Sequence, residues 1–359
     1  MLTEFLAFSI RYLKYKRFQS APIWITFDIT WNCNCRCDYC NYWKEGHVDL
    51  STGEIKRIIK NLKTMGVMYL GLSGGEPLLR KDVPEIVGYA KGLGMHVGLN
   101  TNGTVGKIEV YRTLMEKGID TICFSIDGAK ASTHERFRKN CSFKKVVNSI
   151  RETVRIRNRG NYRTNISTNT VIHRANVDDL EEISRIRSTL GVDRNNFQPV
   201  WYCNVDVKGD EFNSKIGFSY EDGELLKKVS KTIDTLPDGN LKSYNDLLPY
   251  YYTDYKRVRD IECFAGRAFA YVDPKGILYP CSILLEPLGS LLEEDNKTFL
   301  RSSKVKKILK KTAVQNCKGC SMVCYMERNI MLNNIFNPFM LREILFKRYL
   351  ALIYTRERN

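Results

Sequence analysis

No stretch of eighteen apolar residues occurs anywhere in this 359-residue chain, so the sequence offers no candidate for a membrane-spanning helix. It shows no cleavable signal peptide, and its twelve cysteines cluster at metal-ligand spacings rather than in the pattern of a disulfide scaffold. Both features point to a reducing, cytoplasmic setting. No RNA- or DNA-binding motif accompanies the basic stretches, so nucleic acid is not expected as a partner. Acidic residues are in deficit, 40 Asp and Glu against 56 Lys and Arg, for a net charge of +16. The excess gathers at Arg11 to Arg17, Arg136 to Arg163 and Arg301 to Lys311. It suits phosphate-bearing substrates, anionic lipid head groups, or simply solvated helix faces. An apolar share of 43% and a charged share of 27% are ordinary for a folded chain of this length. They leave room for one large α/β domain and a smaller one.

The chain is organised around Cys33-Asn34-Cys35-Arg36-Cys37-Asp38-Tyr39-Cys40, which follows a strand-like run, Ile23 to Thr30. Cys33, Cys37 and Cys40 have the spacing C-x3-C-x2-C. Thiolates so placed on a short loop can converge on one soft metal centre. Three ligands on a four-iron cubane leave one iron uncapped and open to a small chelating molecule. Zinc held by all four sulfurs is the alternative. Alternation along an extended loop would turn Cys35 away from Cys33 and Cys37, which disfavours it.

Downstream, strands and helices alternate. Strands are expected at Ile23–Thr30, Met68–Ser73, Met95–Asn100, Thr121–Ile126, Asn165–Ile172 and Asn196–Trp201. Helices are expected at Thr52–Met65 behind an N-cap at Ser51, and at Val83–Gly92, Ile108–Lys117, Phe143–Asn158 and Val177–Leu190. Such alternation implies a parallel sheet with right-handed crossovers, and six repeats are too few for a closed eight-stranded barrel. Chemistry in such a sheet collects at the carboxyl ends of the strands. Gly74-Gly75-Glu76-Pro77 falls there after the second strand, Asn100-Thr101-Asn102-Gly103 after the third, and Ser125-Ile126-Asp127-Gly128 after the fourth. His134-Glu135-Arg136-Phe137-Arg138 follows.

The cysteine triplet, with the aromatic Tyr39 before its last member and Gly-Gly-Glu-Pro after the second strand, resembles the radical S-adenosylmethionine (radical SAM) superfamily. The resemblance implies an open, partial (β/α)6 TIM-like barrel. Cys33, Cys37 and Cys40 would hold a [4Fe–4S] cluster whose open iron binds S-adenosylmethionine. Gly74, Gly75, Glu76 and Pro77 would serve the methionine ammonium, while Asn102, Ser125 and Asp127 would serve the ribose. Arg138, with Arg136 as fallback, would pair with the methionine carboxylate. One electron from a reductant such as flavodoxin or ferredoxin would cleave the sulfonium. The resulting 5′-deoxyadenosyl radical would then abstract hydrogen from a substrate C–H.

Cysteines return at Cys263, Cys281, Cys317, Cys320 and Cys324. A hairpin, Ala268–Val272 with Ile277–Pro280, is expected between the first two, turning through Asp273-Pro274-Lys275-Gly276. G-x4-C from Gly276 to Cys281 and C-x2-C from Cys317 to Cys320 resemble the SPASM/twitch extensions that carry auxiliary clusters. Five thiols cannot fill two four-ligand clusters. The resemblance therefore implies one auxiliary [4Fe–4S] cluster on Cys263, Cys281, Cys317 and Cys320, with Cys324 able to replace either of the last two; zinc is again the alternative. Sulfatase-maturing relatives place an aspartate base directly after the G-x4-C cysteine. Ser282 stands at that place here, so their chemistry is not carried over. Cys123, Cys141 and Cys203 read as ordinary buried or peripheral cysteines.

The expected organisation is an amphipathic N-terminal helix over 1–20, the barrel over 21–203, a bridging segment over 204–258, the auxiliary-cluster domain over 259–330 and a basic amphipathic helix over 331–359. The tyrosine-rich patch from Tyr250 to Tyr255 reads first as packing and second as channel lining. Both terminal helices suit either docking on protein or peripheral contact with a membrane. Together with the positive charge they favour a membrane lipid or isoprenoid as substrate. A ribosomally made peptide is the rival, although the few residues before the barrel leave no room for a winged-helix leader-binding domain. An iron–sulfur electron carrier or metal-binding module without S-adenosylmethionine chemistry is the third reading, disfavoured by Gly-Gly-Glu-Pro and the ribose-side residues.

Overall fold

The structure, a computed structural model, describes residues 22–44, 49–200, 216–236, 240–293, 302–313 and 322–334. Six strands run parallel in sequence order: β1 (Trp24–Thr30), β2 (Tyr69–Gly74), β3 (His96–Thr101), β4 (Thr121–Ser125), β5 (Asn165–Ile172) and β6 (Arg194–Pro199). The six expected strands are all present, within a residue or two at their ends. Among the described residues β6 pairs only with β5, so the barrel stays open.

Each crossover helix shows why its segment is helical. In α1 (Thr52–Met65), the Ser51 hydroxyl accepts from the Glu54 amide at 3.2 Å, while the Glu54 carboxylate accepts from the Ser51 amide at 2.8 Å. This reciprocal cap satisfies donors that a helix start leaves without partners. Ile55, Ile58, Ile59 and Leu62 recur at helical spacing and are fully buried. They pack on Phe27, Leu70 and Leu72 of the sheet in one core cluster, and such burial contributes about 2 kcal/mol per large apolar side chain. Helices α2 (Val83–Gly92), α3 (Ile108–Glu116), α5 (Phe143–Arg159) and α6 (Leu180–Leu190) fall where expected. Helix α4 (Ala131–Phe137) was not anticipated, because seven residues give too short a window for an apolar period.

The second departure lies at the other edge of β1. The expected hairpin is there as β7 (Phe269–Val272) and β8 (Ile277–Tyr279), turning on Gly276 at φ +78°. But β7 pairs parallel with β1, and β9 (Gly289–Ser290) pairs with β8, so nine strands form one continuous sheet. The C-terminal hairpin thus covers the edge that an open barrel would leave bare.

The bridging segment is helical where described. Helix α7 (Gly223–Thr235) is followed by short helices at Lys242–Asn245, Tyr250–Thr253 and Tyr255–Arg259. Its tyrosines pack: Tyr251 is buried, and the Tyr252 hydroxyl donates to the Val200 carbonyl at 2.6 Å just past β6. Two further helices, α8 (Ser303–Ala313) and α9 (Val323–Asn333), close the described chain. No described helix is long and apolar enough to cross a membrane. Residues 1–20 and 336–354, the amphipathic segments that suit membrane contact, lie outside the described residues.

Asp28 on β1 ties the two parts together by accepting from the Tyr271 hydroxyl of β7 at 2.7 Å. Burial pushes its carboxyl from 3.8 up to about 7. The folded chain therefore holds this proton more tightly than the unfolded chain, and its contribution to stability falls as pH rises from about 4 to about 7. Asp28→Asn should remove that loss, on the order of 4 kcal/mol by pH 8. Urea unfolding of both proteins at pH 5 and pH 8 checks this; parallel pH dependences would contradict it.

Candidate functional site

The cysteine loop leaves β1 at Thr30 and is held from beneath by the end of β2. The Gly75 amide donates to the Thr30 carbonyl and the Glu76 amide to the Asn32 carbonyl, both at 2.8 Å. A Cβ on Gly74, where φ is +130°, would stand 2.0 Å from the Thr30 carbonyl oxygen; one on Gly75 would stand 2.3 Å from that of Asn32. The two glycines thus permit a close approach to the chain's own cysteine loop. Glu76 is fully buried, with its oxygens accepting from the Leu78 amide at 3.0 Å, the Thr101 hydroxyl at 2.8 Å and the Asn102 amide at 2.6 Å. It welds the ends of β2 and β3, and burial raises its carboxyl to about 7. Pro77, also buried, opens the short 3-10 turn Pro77–Leu79 that Glu76 caps.

Cys33 and Cys40 are half-buried and Cys37 is buried. The Asn102 side-chain amide stands 3.9 Å from the Cys33 sulfur and donates to Asn34 at 2.9 Å. Arg138 Nη1 stands 3.9 Å from the Cys37 sulfur. Cys35 stands against one member of this trio, Cys33, and against Cys141, with its sulfur also 3.7 Å from the Asn140 carbonyl and 3.9 Å from the Thr104 hydroxyl. A hydrogen bond from Cys35 lowers the Cys33 thiol to about 7. Burial pushes Cys37 up to about 12, against a downward pull from Arg138, and burial also raises Cys40. Among the described residues no group of three or more His, Cys, Asp or Glu side chains is set to hold a single metal ion. Three thiols with N–H donors beside two of them fit a larger, anionic thiolate-bound cluster.

Asp127, just past β4, is buried with a ring of partners. Its carboxylate accepts from Arg138 Nε at 2.6 Å, from the Val171 amide at 2.8 Å and from the Tyr39 hydroxyl. The Asn176 side chain donates to its carbonyl at 2.7 Å, and its amide donates to His134 Nδ1 at 3.1 Å. Arg138 holds the Asp127 carboxyl below its usual range despite burial. Ser125 ends β4 half-buried at the same mouth. The structure therefore brings Tyr39, Gly74, Gly75, Glu76, Pro77, Asn102, Ser125, Asp127 and Arg138 to the carboxyl ends of the strands around the cysteine loop. Asp127 and Glu76 meet protein donors there.

In the C-terminal part, Cys263, Cys281 and Cys324 pack against a cluster that includes Ile23, Phe264, Phe269 and Tyr325. The Leu284 amide donates to the Cys281 sulfur at 3.2 Å, and burial raises the Cys324 thiol. Ser282, in place of an aspartate, exchanges hydrogen bonds with the Tyr325 hydroxyl, 3.3 Å from its amide and 3.2 Å from its own hydroxyl. Cys317, Cys320 and Cys203 lie outside the described residues.

Sequence reasoning names Asn34 and His134 only within their motifs, without a role, and does not single out Thr104, His173 or Asn176, all at or near this mouth. Single polar residues without spacing give no pattern, although Asn176 and His173 do follow the carboxyl end of β5. His173 is fully buried, with neither ring nitrogen hydrogen-bonded, and burial lowers it to about 4.

Gly74→Ala should destabilise the fold by about 2 kcal/mol or more, because no L residue sits easily at that φ against a backbone oxygen. Gly71→Ala in the same strand, whose Cβ would meet nothing closer than 3.7 Å, should cost far less. Thermal melts of the two variants side by side check the contrast.

Comparison with known proteins agrees with this geometry. The family model described as "Radical SAM superfamily" matches residues 28–186, and that described as "Iron-sulfur cluster-binding domain" (SPASM) matches residues 263–321. The chain is 26% identical over 326 residues to an AdoMet-dependent heme synthase of Methanosarcina barkeri, covering 85% of this chain and 89% of that one. It is 32% identical over 180 residues to the mycofactocin maturase MftC of Mycolicibacterium smegmatis, covering 50% and 45%. With a PqqA peptide cyclase of Methylobacterium it shares 27% over 277 residues, covering 73% and 67%. The fold is that of Streptococcus suis SuiB bound to S-adenosylmethionine, at TM-score 0.65 and 14% identity over 88% of this chain and 76% of that one. It is also that of anSMEcpe with bound AdoMet, at TM-score 0.63 and 14% identity over 92% and 100%. A radical SAM domain implies a [4Fe–4S] cluster and S-adenosylmethionine, and a SPASM domain implies auxiliary iron–sulfur clusters. With the two family matches over residues 28–186 and 263–321, this chain belongs to the radical SAM superfamily, as an iron–sulfur enzyme with a C-terminal SPASM domain.

Proposed function

We propose that Cys33, Cys37 and Cys40 hold the [4Fe–4S] cluster and that the enzyme modifies a ribosomally made peptide. The observation that carries the first part is the pair of N–H donors, from Asn102 and Arg138, that stand at the Cys33 and Cys37 sulfurs. When bound, the cluster and S-adenosylmethionine supply a 5′-deoxyadenosyl radical able to take hydrogen from an unactivated C–H. The chain's own part is to hold the loop rigidly through Gly74, Gly75 and Glu76. It also presents polar groups, Asn102, Ser125 and Arg138 in the grip of Asp127, at the mouth where S-adenosylmethionine would lie. Arg138 Nη1, which stands beside the Cys37 sulfur, has a second N–H from which a methionine carboxylate would accept. In the C-terminal domain, Cys263 and Cys281, with Cys317, Cys320 or Cys324 completing the set, would hold one auxiliary cluster. A small redox protein such as flavodoxin or ferredoxin would deliver the electron.

The peptide substrate is supported by the relatives named as mycofactocin maturase and PqqA peptide cyclase. They favour it over the membrane lipid, whose supporting terminal segments lie outside the described residues. The heme synthase relative, matched over 89% of its length, supports a small-molecule substrate as a second reading.

Anaerobically reconstituted protein given S-adenosylmethionine and dithionite should release 5′-deoxyadenosine. Cys33→Ala, Cys37→Ala and Cys40→Ala should each abolish release, while Cys35→Ala should retain most of it. No release by the wild-type protein would return the four-sulfur zinc site, and loss in the Cys35 variant equal to that in the others would overturn the three-cysteine assignment. For substrate class, a short peptide encoded beside the gene should raise 5′-deoxyadenosine release several-fold and change mass. Stimulation by phospholipid vesicles or by a tetrapyrrole instead would reverse the assignment.

A further inference from the structure

Asp127, expected at the ribose, has its carboxylate ringed by protein donors. Arg138 Nε at 2.6 Å, Arg138 Nη2 at 3.4 Å, the Val171 amide at 2.8 Å and the Tyr39 hydroxyl surround it, and its side chain is completely shielded from solvent. Burying an ion pair is costly, and hydrophobic residues of similar volume commonly serve stability as well or better. A pair kept so deep at a redox site therefore calls for a use other than stability.

The pair sits beside the cysteine loop by construction. Arg36–Cys37 and Arg138–Lys139 form a two-residue antiparallel ladder in which Cys37 faces Arg138. The Asp38 amide donates to the Phe137 carbonyl at 2.8 Å, extending the same contact. Asp127 takes Nε and Nη2 of the guanidinium and leaves Nη1 turned to the Cys37 sulfur, 3.9 Å away. The guanidinium also stands over the Tyr39 ring, 5.6 Å from its centroid. Tyr39 thus bonds the anion and faces the cation.

We propose that Arg138 and Asp127 act as a charge pair that sets the reduction potential of the N-terminal cluster, Asp127 being the positioning residue that aims and partly offsets the guanidinium at Cys37. The proposal rests on the reading that Cys37 is a cluster ligand. A fixed positive charge beside a thiolate ligand favours the reduced, more negative cluster and raises its potential; a fixed negative charge lowers it. In a site shielded from water neither effect is screened away. The pair therefore sets how strong a reductant the enzyme requires before S-adenosylmethionine arrives.

The test is a redox titration followed by electron paramagnetic resonance on the reconstituted full-length protein without S-adenosylmethionine. A Cys33→Ala/Cys37→Ala/Cys40→Ala variant, titrated in parallel, identifies the auxiliary signal. Arg138→Gln should move the N-terminal midpoint more negative and Asp127→Asn should move it more positive. Arg138→Lys, which keeps the charge, should remain near wild type. Each single neutral variant leaves a buried charge alone, so the double variant Arg138→Gln/Asp127→Asn covers the case in which the singles do not fold. It should shift negative, by less than Arg138→Gln. A double variant at the wild-type midpoint, or single variants that shift in the same direction, would overturn the proposal. A wild-type spectrum indistinguishable from the triple-cysteine variant would instead overturn the cluster assignment itself.

Discussion

Backbone lies directly on backbone where Gly74 and Gly75 meet Thr30 and Asn32, and the arrangement of the mouth depends on that contact. The cysteine loop has almost no regular structure of its own, so its sulfurs are placed by what it rests on. Two amide-to-carbonyl hydrogen bonds hold its base, and the next residue, Glu76, spans from that contact to the end of the third strand. Through Asn102 the same connection reaches Asn34 inside the loop. Three successive strand ends are thereby fixed relative to one another, and the three hydrogen bonds to the buried Glu76 carboxylate hold its side chain in one arrangement.

The opposite wall of the mouth is built differently, from a buried charge pair instead of backbone contact. The two constructions suit their tasks. Backbone contacts tolerate little movement and define distance, whereas a charge pair projects a field across a dry region. Tyr39 joins the two walls, since it belongs to the cysteine loop and donates to Asp127.

Much of this was legible in the sequence, and the reasons are specific. Strand–helix alternation is a periodic signal spread over dozens of residues, so the six strands and five of the crossover helices emerge from it, as does the Asp273–Gly276 hairpin with its turn chemistry. The cysteine triplet and Gly-Gly-Glu-Pro are legible because chemistry restricts both residue type and spacing. The partners of Glu76 and Asp127 were not legible, because a carboxylate at a strand end looks alike whether it awaits a ligand or a neighbouring amide. Nor was the pairing of β7 with β1: residues far apart in sequence leave no local trace of their contact. Helix α4 was missed for its brevity, and His173 and Asn176 because isolated polar residues carry no period.

That distant pairing bears on how the chain is made. Asp28 and Tyr271 are 243 positions apart, yet they bond across the junction of β1 with β7. During synthesis from the N-terminus, the first barrel strand emerges long before the segment that covers its outer edge. Until then it presents an unpaired row of amides and carbonyls to whatever is nearby. The nascent chain is therefore exposed to mispairing until a hairpin more than two hundred positions downstream emerges, and the arrival of that hairpin is what covers this edge of the sheet.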